Sequence, residues 1–384
     1  LTLIYLIAGE QSGDVLGARL MRAIAARRPD IQFAGIGGTA MAERGLTSLF
    51  PLRELALMGL LEVLPQLRRL RARLRQTVAD IAARRPDIVV TIDSPGFTLR
   101  VLRAIAPLGI KRVHYVAPQV WAWREGRVKH YPGLWDRLLC LLPFEPAFFA
   151  RHNLPAVFVG HPVLESGADT GDAQNFRSRH NESGRILTVM PGSRRTEVSR
   201  LLPILGETLR RLPPDLVTVV PIAAPVADAV ETGTAHWPVK PILVRDTADK
   251  HDAFAASSAA LTKSGTSTLE LAMANVPMVV AYRVNPLTAA IAKRLIRVKY
   301  ASIVNLIADR AVIPELIQDA CNPDRLAQTL NALLDNPAAQ QAQVAASLAA
   351  LRPPGGLLPS EAAAEAVLDL LQPTRISPPA TILA

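Results

Sequence analysis

The stretch Thr2-Leu3-Ile4-Tyr5-Leu6-Ile7-Ala8-Gly9-Glu10-Gln11-Ser12-Gly13-Asp14 decides the fold. Its first half is an apolar run of the kind that fills a strand buried on both faces. The glycine-containing turn from Gly9 to Gly13 breaks the run, and residues 14–27 then take up helical spacing. The same order recurs down the chain. Strands are expected at residues 31–36, 87–92, 111–116 and 137–142, with a weaker one at 157–159. Pro95, just after Asp93-Ser94, suits the first turn of a helix. The alternation lapses over the polar stretch 165–184, which reads as a linker or long surface loop. It resumes with strands at 186–190, 216–221, 241–244, 259–262 and 278–281, then helices at 324–335, 337–351 and 360–371. Alternating buried strands and helices predict an α/β chain of two Rossmann-like, doubly wound domains with a cleft between them. The expected layout is 1–165, a linker at 166–184, a second domain at 185–351, and a C-terminal helix and tail at 352–384.

Composition fits two domains. The chain has 384 residues, and a domain usually takes about 100–200. With 49% hydrophobic and 20% charged residues it is neither disordered nor fibrous. Cys140 and Cys321 are too few and too far apart for a disulfide framework or a zinc knuckle, so both are expected as reduced core thiols. The net charge of +10, from 43 basic and 33 acidic residues, admits nucleic acid, an anionic membrane surface or phosphate-bearing substrates. Only 5% of residues are aromatic, which argues against stacking on single strands and so against a nucleic-acid partner. No apolar stretch reaches the roughly 20 residues of a membrane span. The opening apolar run is too short for a signal peptide and lacks its basic start. The chain is therefore expected to be soluble or to lie on a membrane without crossing it, and the lack of Met at position 1 suggests that Leu1 is not the natural start.

Ligands of doubly wound sheets bind at the carboxyl ends of the strands. Four loops stand there. Gly9 to Asp14 is glycine-containing without being G-x-G-x-x-G, and Glu10 would repel a phosphate, so the loop suits an acceptor hydroxyl or is a solvated turn. Asp93, ending the apolar run Ile88-Val89-Val90-Thr91-Ile92, could take a proton from a hydroxyl nucleophile or could cap the following helix. Pro191-Gly192-Ser193-Arg194-Arg195 offers close backbone approach to an anion and a guanidinium to neutralise it. Lys263-Ser264-Gly265-Thr266-Ser267-Thr268 opens a helix as a diphosphate cradle, with Glu270 one turn on as an acceptor for ribose hydroxyls. The last two loops in one domain point to a nucleoside diphosphate.

Some chemistry is missing. There is no P-loop, no H-E-x-x-H, no Cys–His zinc spacing and no Asp-x-Asp, so no metal or other cofactor is expected, and arginine and helix dipoles would meet leaving-group charge. His161, before Pro162, reads as structural. Residues 55–70 are unusual: Leu60, Leu61, Val63, Leu64, Leu67 and Leu70 exceed one core-facing stripe, and Arg68, Arg69, Arg71, Arg73 and Arg75 flank them. That pattern fits a helix lying in a membrane interface, or a buried helix with a solvated basic face.

These residues together resemble the lipid-A-disaccharide synthase family, inverting glycosyltransferases of the GT-B architecture. The resemblance runs through most of the chain. It is carried by Ala8 to Asp14, Leu57-Met58-Gly59-Leu60-Leu61-Glu62-Val63, Ile92-Asp93-Ser94-Pro95, Tyr115-Val116-Ala117-Pro118-Gln119-Val120-Trp121-Ala122-Trp123-Arg124, Leu142-Pro143-Phe144-Glu145, Gly160-His161-Pro162, Pro191-Gly192-Ser193-Arg194, Ser264-Gly265-Thr266, Tyr282-Arg283 and Asn305-Leu306. Gly96 departs from the family pattern, which has an acid there. The resemblance implies that UDP-diacylglucosamine is joined to diacylglucosamine 1-phosphate (lipid X), giving the β-linked disaccharide phosphate and UDP. It implies catalytic roles for Asp93, Glu10, Arg194 and Asn305, and a cytoplasmic place at the inner face of the membrane. A homodimer is compatible with it. Two other readings compete: a different UDP-amino-sugar enzyme on the same fold, such as an epimerase, and a non-enzymatic peripheral lipid-binding protein. Glu10, the apolar helix of residues 55–70 and the Trp121–Trp123 run argue against the first, and the two nucleotide loops against the second.

Overall fold

A computed structural model describes residues 2–55 and 63–371. The chain divides into two units, one of residues 1–120, 125–162 and 352–384, the other of 121–124 and 163–351.

Unit 1 runs β1 (Leu3–Ala8), α1 (Gln11–Arg27), β2 (Gln32–Ile36), α2 (Thr39–Ala42), α3 (Val63–Arg84), β3 (Ile88–Ile92), α4 (Pro95–Ile105), β4 (Lys111–Tyr115), the start of α5 (Val120–Trp123), β5 (Arg137–Cys140), α6 (Glu145–Ala150) and β6 (Ala156–Phe158). Its six strands are parallel in the order β2-β1-β3-β4-β5-β6. Ile4 to Ala8 of β1 and all of β3 are buried, because helices cover both faces of the sheet; this is why their sequences are apolar throughout.

Unit 2 runs α7 (Ala173–His180), β7 (Ile186–Met190), α8 (Arg195–Leu209), β8 (Val217–Pro221), α9 (Ala227–Thr234), β9 (Ile242–Val244), α10 (Thr247–Ala256), β10 (Ser257–Thr262), α11 (Thr266–Met273), β11 (Met278–Tyr282), α12 (Pro286–Leu295), α13 (Ile303–Ala308), β12 (Glu315–Ile317), α14 (Pro323–Asp335) and α15 (Ala338–Ala349). Its six parallel strands lie in the order β12-β11-β10-β7-β8-β9. The order of strands reverses direction between β1 and β3 in unit 1 and between β7 and β10 in unit 2. These are the topological switch points where doubly wound sheets bind ligands.

Two features differ from the sequence expectation. The stretch 165–184 is built into unit 2 rather than linking it. It contains α7, whose Phe176 is fully buried in a small cluster with Ile186 and Val219. Its polar residues are structural: the Asp172 carboxylate accepts from the amides of Gln174 and Asn175, and Asn175 and Arg179 donate to Asp252 of α10. The C-terminal helix α16 (Pro359–Leu368) belongs to unit 1. Ala363, Ala364 and Val367 join the core that holds Ile4 and Leu20, and small alanines allow α16 to lie close on α1. Arg137 donates to the Ala366 carbonyl at 2.6 Å, and Arg27 pairs with Glu365 at 3.2 Å. Cys140 and Cys321 are both free and buried.

Candidate active site

In unit 1 the loops after β1 and β3 meet at the switch point. A Cβ on Gly9 would stand 2.2 Å from Ser94 Cβ, so only glycine lets the two loops touch. Glu10 follows at the N-cap of α1, extended and exposed, with no partner for its carboxylate among the described residues. Four residues on, Asp14 is wholly buried and accepts from the amides of Gly38, Ala40 and Met41 at 2.7, 2.9 and 3.1 Å; it ties the β2–α2 loop to α1.

Asp93 and Ser94 both have left-handed backbones, with φ of 52° and 46°. Val116, one residue past β4, has φ 78°, a costly conformation for a β-branched residue. Each such residue stores about 1–3 kcal/mol and persists where function or packing requires it. The bends are held by hydrogen bonds: the Asp93 amide donates to the Tyr115 carbonyl at 2.9 Å, and Thr98 Oγ1 donates to the Asp93 carbonyl at 2.7 Å. Asp93 Oδ1 accepts from the Ser94 amide at 2.7 Å. The side chain is half-buried, and Oδ2 has no partner among the described residues. His161 lies at the end of the loop after β6. Burial pushes its pKa down to about 4, so it is neutral near pH 7.

In unit 2 the loops after β7 and β10 meet at the other switch point. Lys263, next after β10, donates its amide to the Met190 carbonyl at the end of β7, 3.1 Å away. Gly192 has φ 117°, and a Cβ there would sit 2.8 Å from Glu197 Oε2, so the turn needs glycine twice over. Ser193 and Arg194 are exposed, and Arg194 is the N-cap of α8. Neither α8 nor α11 has a side-chain cap, which is also true of α9 and α15, whereas Asp172, Asp246, Ser302 and Asn322 cap α7, α10, α13 and α14 in the same unit; α8 and α11 are the uncapped helices that start at the switch point. Uncapped first-turn amides beside Arg194, Gly265, Thr266 and Ser267 are what an anion needs.

Three ion pairs here went unread in the sequence. Glu197 Oε1 lies 3.1 Å from Lys263 Nζ and 3.4 Å from Arg194 Nη1. Lys250 of α10 donates to both oxygens of Glu270, at 3.0 and 3.1 Å. Glu270 is therefore held in place, with lone pairs left to accept from hydroxyls. The Ser264 hydroxyl is committed to the Ala301 carbonyl at 2.7 Å, so this residue can offer a ligand its amide rather than its proton.

Asn305 corrects the sequence expectation. Its side chain is completely buried: Nδ2 donates to the Ile313 carbonyl and to Glu315 Oε1, both at 2.8 Å, and Oδ1 accepts from the amides of Val312 and Ile313 at 2.9 and 2.8 Å. All four hydrogen-bonding positions of the amide are filled, so none is left for substrate. Its partner Glu315 also accepts from the amides of Ala301 and Ser302, each at 2.8 Å. Asn305 thus braces the segment that Ser264 leans on; it is a positioning residue.

The lipid-facing expectation is corrected at Leu70. Leu60 and Leu61 lie outside the described residues, as do the side chains of Val63, Leu64 and Leu67. Leu70 is buried and so unavailable to a bilayer. Arg69 and Arg73 both bind Glu54, at 3.0 and 2.6 Å, and hold its carboxyl below the ordinary range, Arg73 above all. Arg68 is exposed. A second surface of mixed apolar and basic character lies in unit 2. The Arg297 amide donates to the Ala122 carbonyl at 2.9 Å, which sets the segment after α12 beside Trp123. Trp123, Leu295 and Ile296 are 41%, 43% and 49% exposed. The Arg124 guanidinium stacks 4.0 Å from the Trp123 ring centroid. Residues 283–302 carry Arg283, Lys293, Arg294, Arg297 and Lys299 and no acid. The run Lys293-Arg294-Leu295-Ile296-Arg297 was the signal that sequence reading passed over.

Residues 4–353 match the family model described as lipid-A-disaccharide synthetase. A lipid-A-disaccharide synthase of Granulibacter bethesdensis is 57% identical, with 96% of this chain and 98% of the relative covered. That of Gluconobacter oxydans is 56% identical, with 96% and 90% covered. Among solved structures, an S. aureus MnaA–UDP co-structure superposes with a TM-score of 0.65 over 97% of this chain and 96% of its own; at 15% identity this likeness speaks for the fold alone.

Proposed function

The chain belongs to the lipid-A-disaccharide synthase family, and on that premise we propose how its two units divide the work of a UDP-sugar-dependent glycosyltransferase. The reaction joins UDP-diacylglucosamine to diacylglucosamine 1-phosphate, forming the β-linked lipid A disaccharide phosphate and UDP. Unit 2 takes the donor. Arg194 meets the diphosphate, the amides of Gly192, Ser193 and Gly265 to Ser267 surround it, and Glu270 accepts from the ribose. The observation that carries this assignment is the pair of uncapped helices, α8 and α11, at the switch point of a sheet whose loops are rich in donors. Unit 1 takes the acceptor, since its own switch point presents the carboxylates Glu10 and Asp93, which would repel a diphosphate.

Asp93 is the general base. The acceptor's primary hydroxyl oxygen attacks the anomeric carbon of the donor as the bond from that carbon to the UDP oxygen breaks. The hydroxyl proton passes to Asp93, and the single displacement inverts the centre. A carboxylate of ordinary strength takes the proton late, as the oxygen loses electron density to the new bond. Arginine and helix N-termini carry the leaving-group charge, and no metal or other cofactor is required.

The acyl chains of both substrates place the enzyme at a bilayer, on the cytoplasmic side where UDP-sugars are made. Among the described residues no helix is long and apolar enough to cross a membrane. The exposed Trp123, Leu295 and Ile296 with their basic surround would rest on an anionic surface.

Released UDP tests the assignment. Wild-type enzyme should release UDP from the donor only when the lipid acceptor is added, and should do so in chelator. Asp93→Asn should bind both substrates and lose about 10²-fold or more in turnover. If Asp93→Asn is active and Glu10→Gln is dead, the base is Glu10. If chelator stops the reaction and magnesium restores it, the charge model for the diphosphate is wrong.

A further inference from the structure

Lys263 stands at the switch point of unit 2, paired with Glu197 and beside the start of α11. Its backbone joins the ends of β7 and β10. Its Nζ lies 3.8 Å from where a Cβ on Gly265, the N-cap of α11, would be, and so faces the positive end of that helix. The Lys263 side chain is 18% exposed and that of its partner Glu197 11%. Glu197 Oε1 holds the ammonium, while Oε2 is buried with no partner. A nearly buried ion pair with an unsatisfied carboxylate oxygen adds little to stability, because desolvation offsets the attraction. Its arrangement points to a ligand.

We propose that Lys263 is a second cation for the diphosphate leaving group and that Glu197, in the first turn of α8, positions it there. The ammonium has three donors, and Glu197 takes one. The others can reach phosphate oxygens in front of Gly265 without breaking that bond. Arg194 lies 3.4 Å from the same Glu197 oxygen, so one carboxylate orients both cations. Two cations and two helix N-termini then face a group whose negative charge rises as the glycosidic bond breaks. This inference rests on the reading that unit 2 binds UDP.

Calorimetry with UDP and with uridine tests it on four proteins: wild type, Lys263→Met, Glu197→Gln and the double variant. The double variant leaves no buried carboxylate unpaired, so it guards against a variant that merely unfolds. A lost charge-assisted contact should weaken UDP binding about tenfold or more, leave uridine binding unchanged, and reduce the salt dependence of UDP binding. The same loss should appear when Lys263→Met is added to Glu197→Gln. Lys263→Arg should recover part of it. If Lys263→Met changes nothing, or its effect vanishes in the Glu197→Gln background, Lys263 only neutralises Glu197 and the proposal falls; the site in unit 2 stands provided wild type prefers UDP to uridine. If wild type binds uridine as tightly as UDP, the diphosphate site itself is wrong and the proposal goes with it.

Discussion

Asn305→Ala separates positioning from chemistry. The substitution removes four hydrogen bonds from a wholly buried amide. Glu315 Oε1 keeps the Ser302 amide. With Asn305 gone the Val312 amide keeps the Arg310 carbonyl at 3.0 Å, and the Ile313 amide is orphaned. A buried donor left unsatisfied costs about 1–3 kcal/mol, less what a water entering the vacated space returns. That is a measurable share of the roughly 5–15 kcal/mol that holds a domain folded. The assay is urea unfolding with separate readouts for the two units, since a chain of two units need not unfold in one step. The unit 2 transition should move to markedly lower urea while that of unit 1 stays. UDP affinity should fall in the folded protein, because the Ala301 carbonyl that holds Ser264 is anchored through Glu315 and Asn305. Asn305→Asp should not rescue: it keeps the acceptor but sets a carboxylate against Glu315. Unchanged unfolding of unit 2 with a collapse in turnover would refute the reasoning and return Asn305 to the chemistry.

Two further outcomes are expected. Burial lowers the pKa of His114 to about 3 and that of His161 to about 4, from 6.5 when exposed. The unfolded chain then binds more protons between those values, so stability is greatest above about pH 6.5 and falls as pH drops toward 4. At pH 5 each histidine should have cost about 2 kcal/mol, one and a half units at 1.36 kcal/mol each; His114→Gln should flatten the dependence, and an unchanged pH profile would contradict its burial as a neutral ring. For the surface patch, the variant with Trp123, Leu295 and Ile296 replaced by Ser should still fold, because all three are 41% or more exposed. The variant should float less with anionic vesicles, and at high salt wild-type binding should weaken yet persist; full flotation of the folded variant would place the lipid contact elsewhere.

How much of this was legible follows from what each feature depends on. The strands could be read because a strand covered on both faces must be apolar along its whole length, and turns such as Gly9 to Gly13 and Gly192-Ser193 bracket them. The site loops could be read because they follow those strands directly. β12 could not: its three residues, Glu315-Leu316-Ile317, give no pattern, and its place beside β11 is a tertiary fact. α7 was hidden because one Phe and a set of polar anchors do the work of an apolar stripe. The return of α16 to unit 1 depends on alanines fitting α1, and alanine at such positions looks like any helix.

The ion pairs mark a deeper limit. Glu197 and Lys263 are far apart in sequence, and they meet because β7 and β10 are neighbours at the point where strand order reverses. That adjacency is fixed by handedness and topology, which no local window contains. Family resemblance offered Asn305 as catalytic, yet a residue can be indispensable because it holds a loop. The count of its hydrogen bonds distinguishes the two roles: Asp93 has a carboxylate oxygen to spare at a strained strand end, whereas Asn305 has nothing left to give. The same count, applied to Lys263 with its unspent donors, is what makes it a candidate for the leaving group rather than one more surface pair.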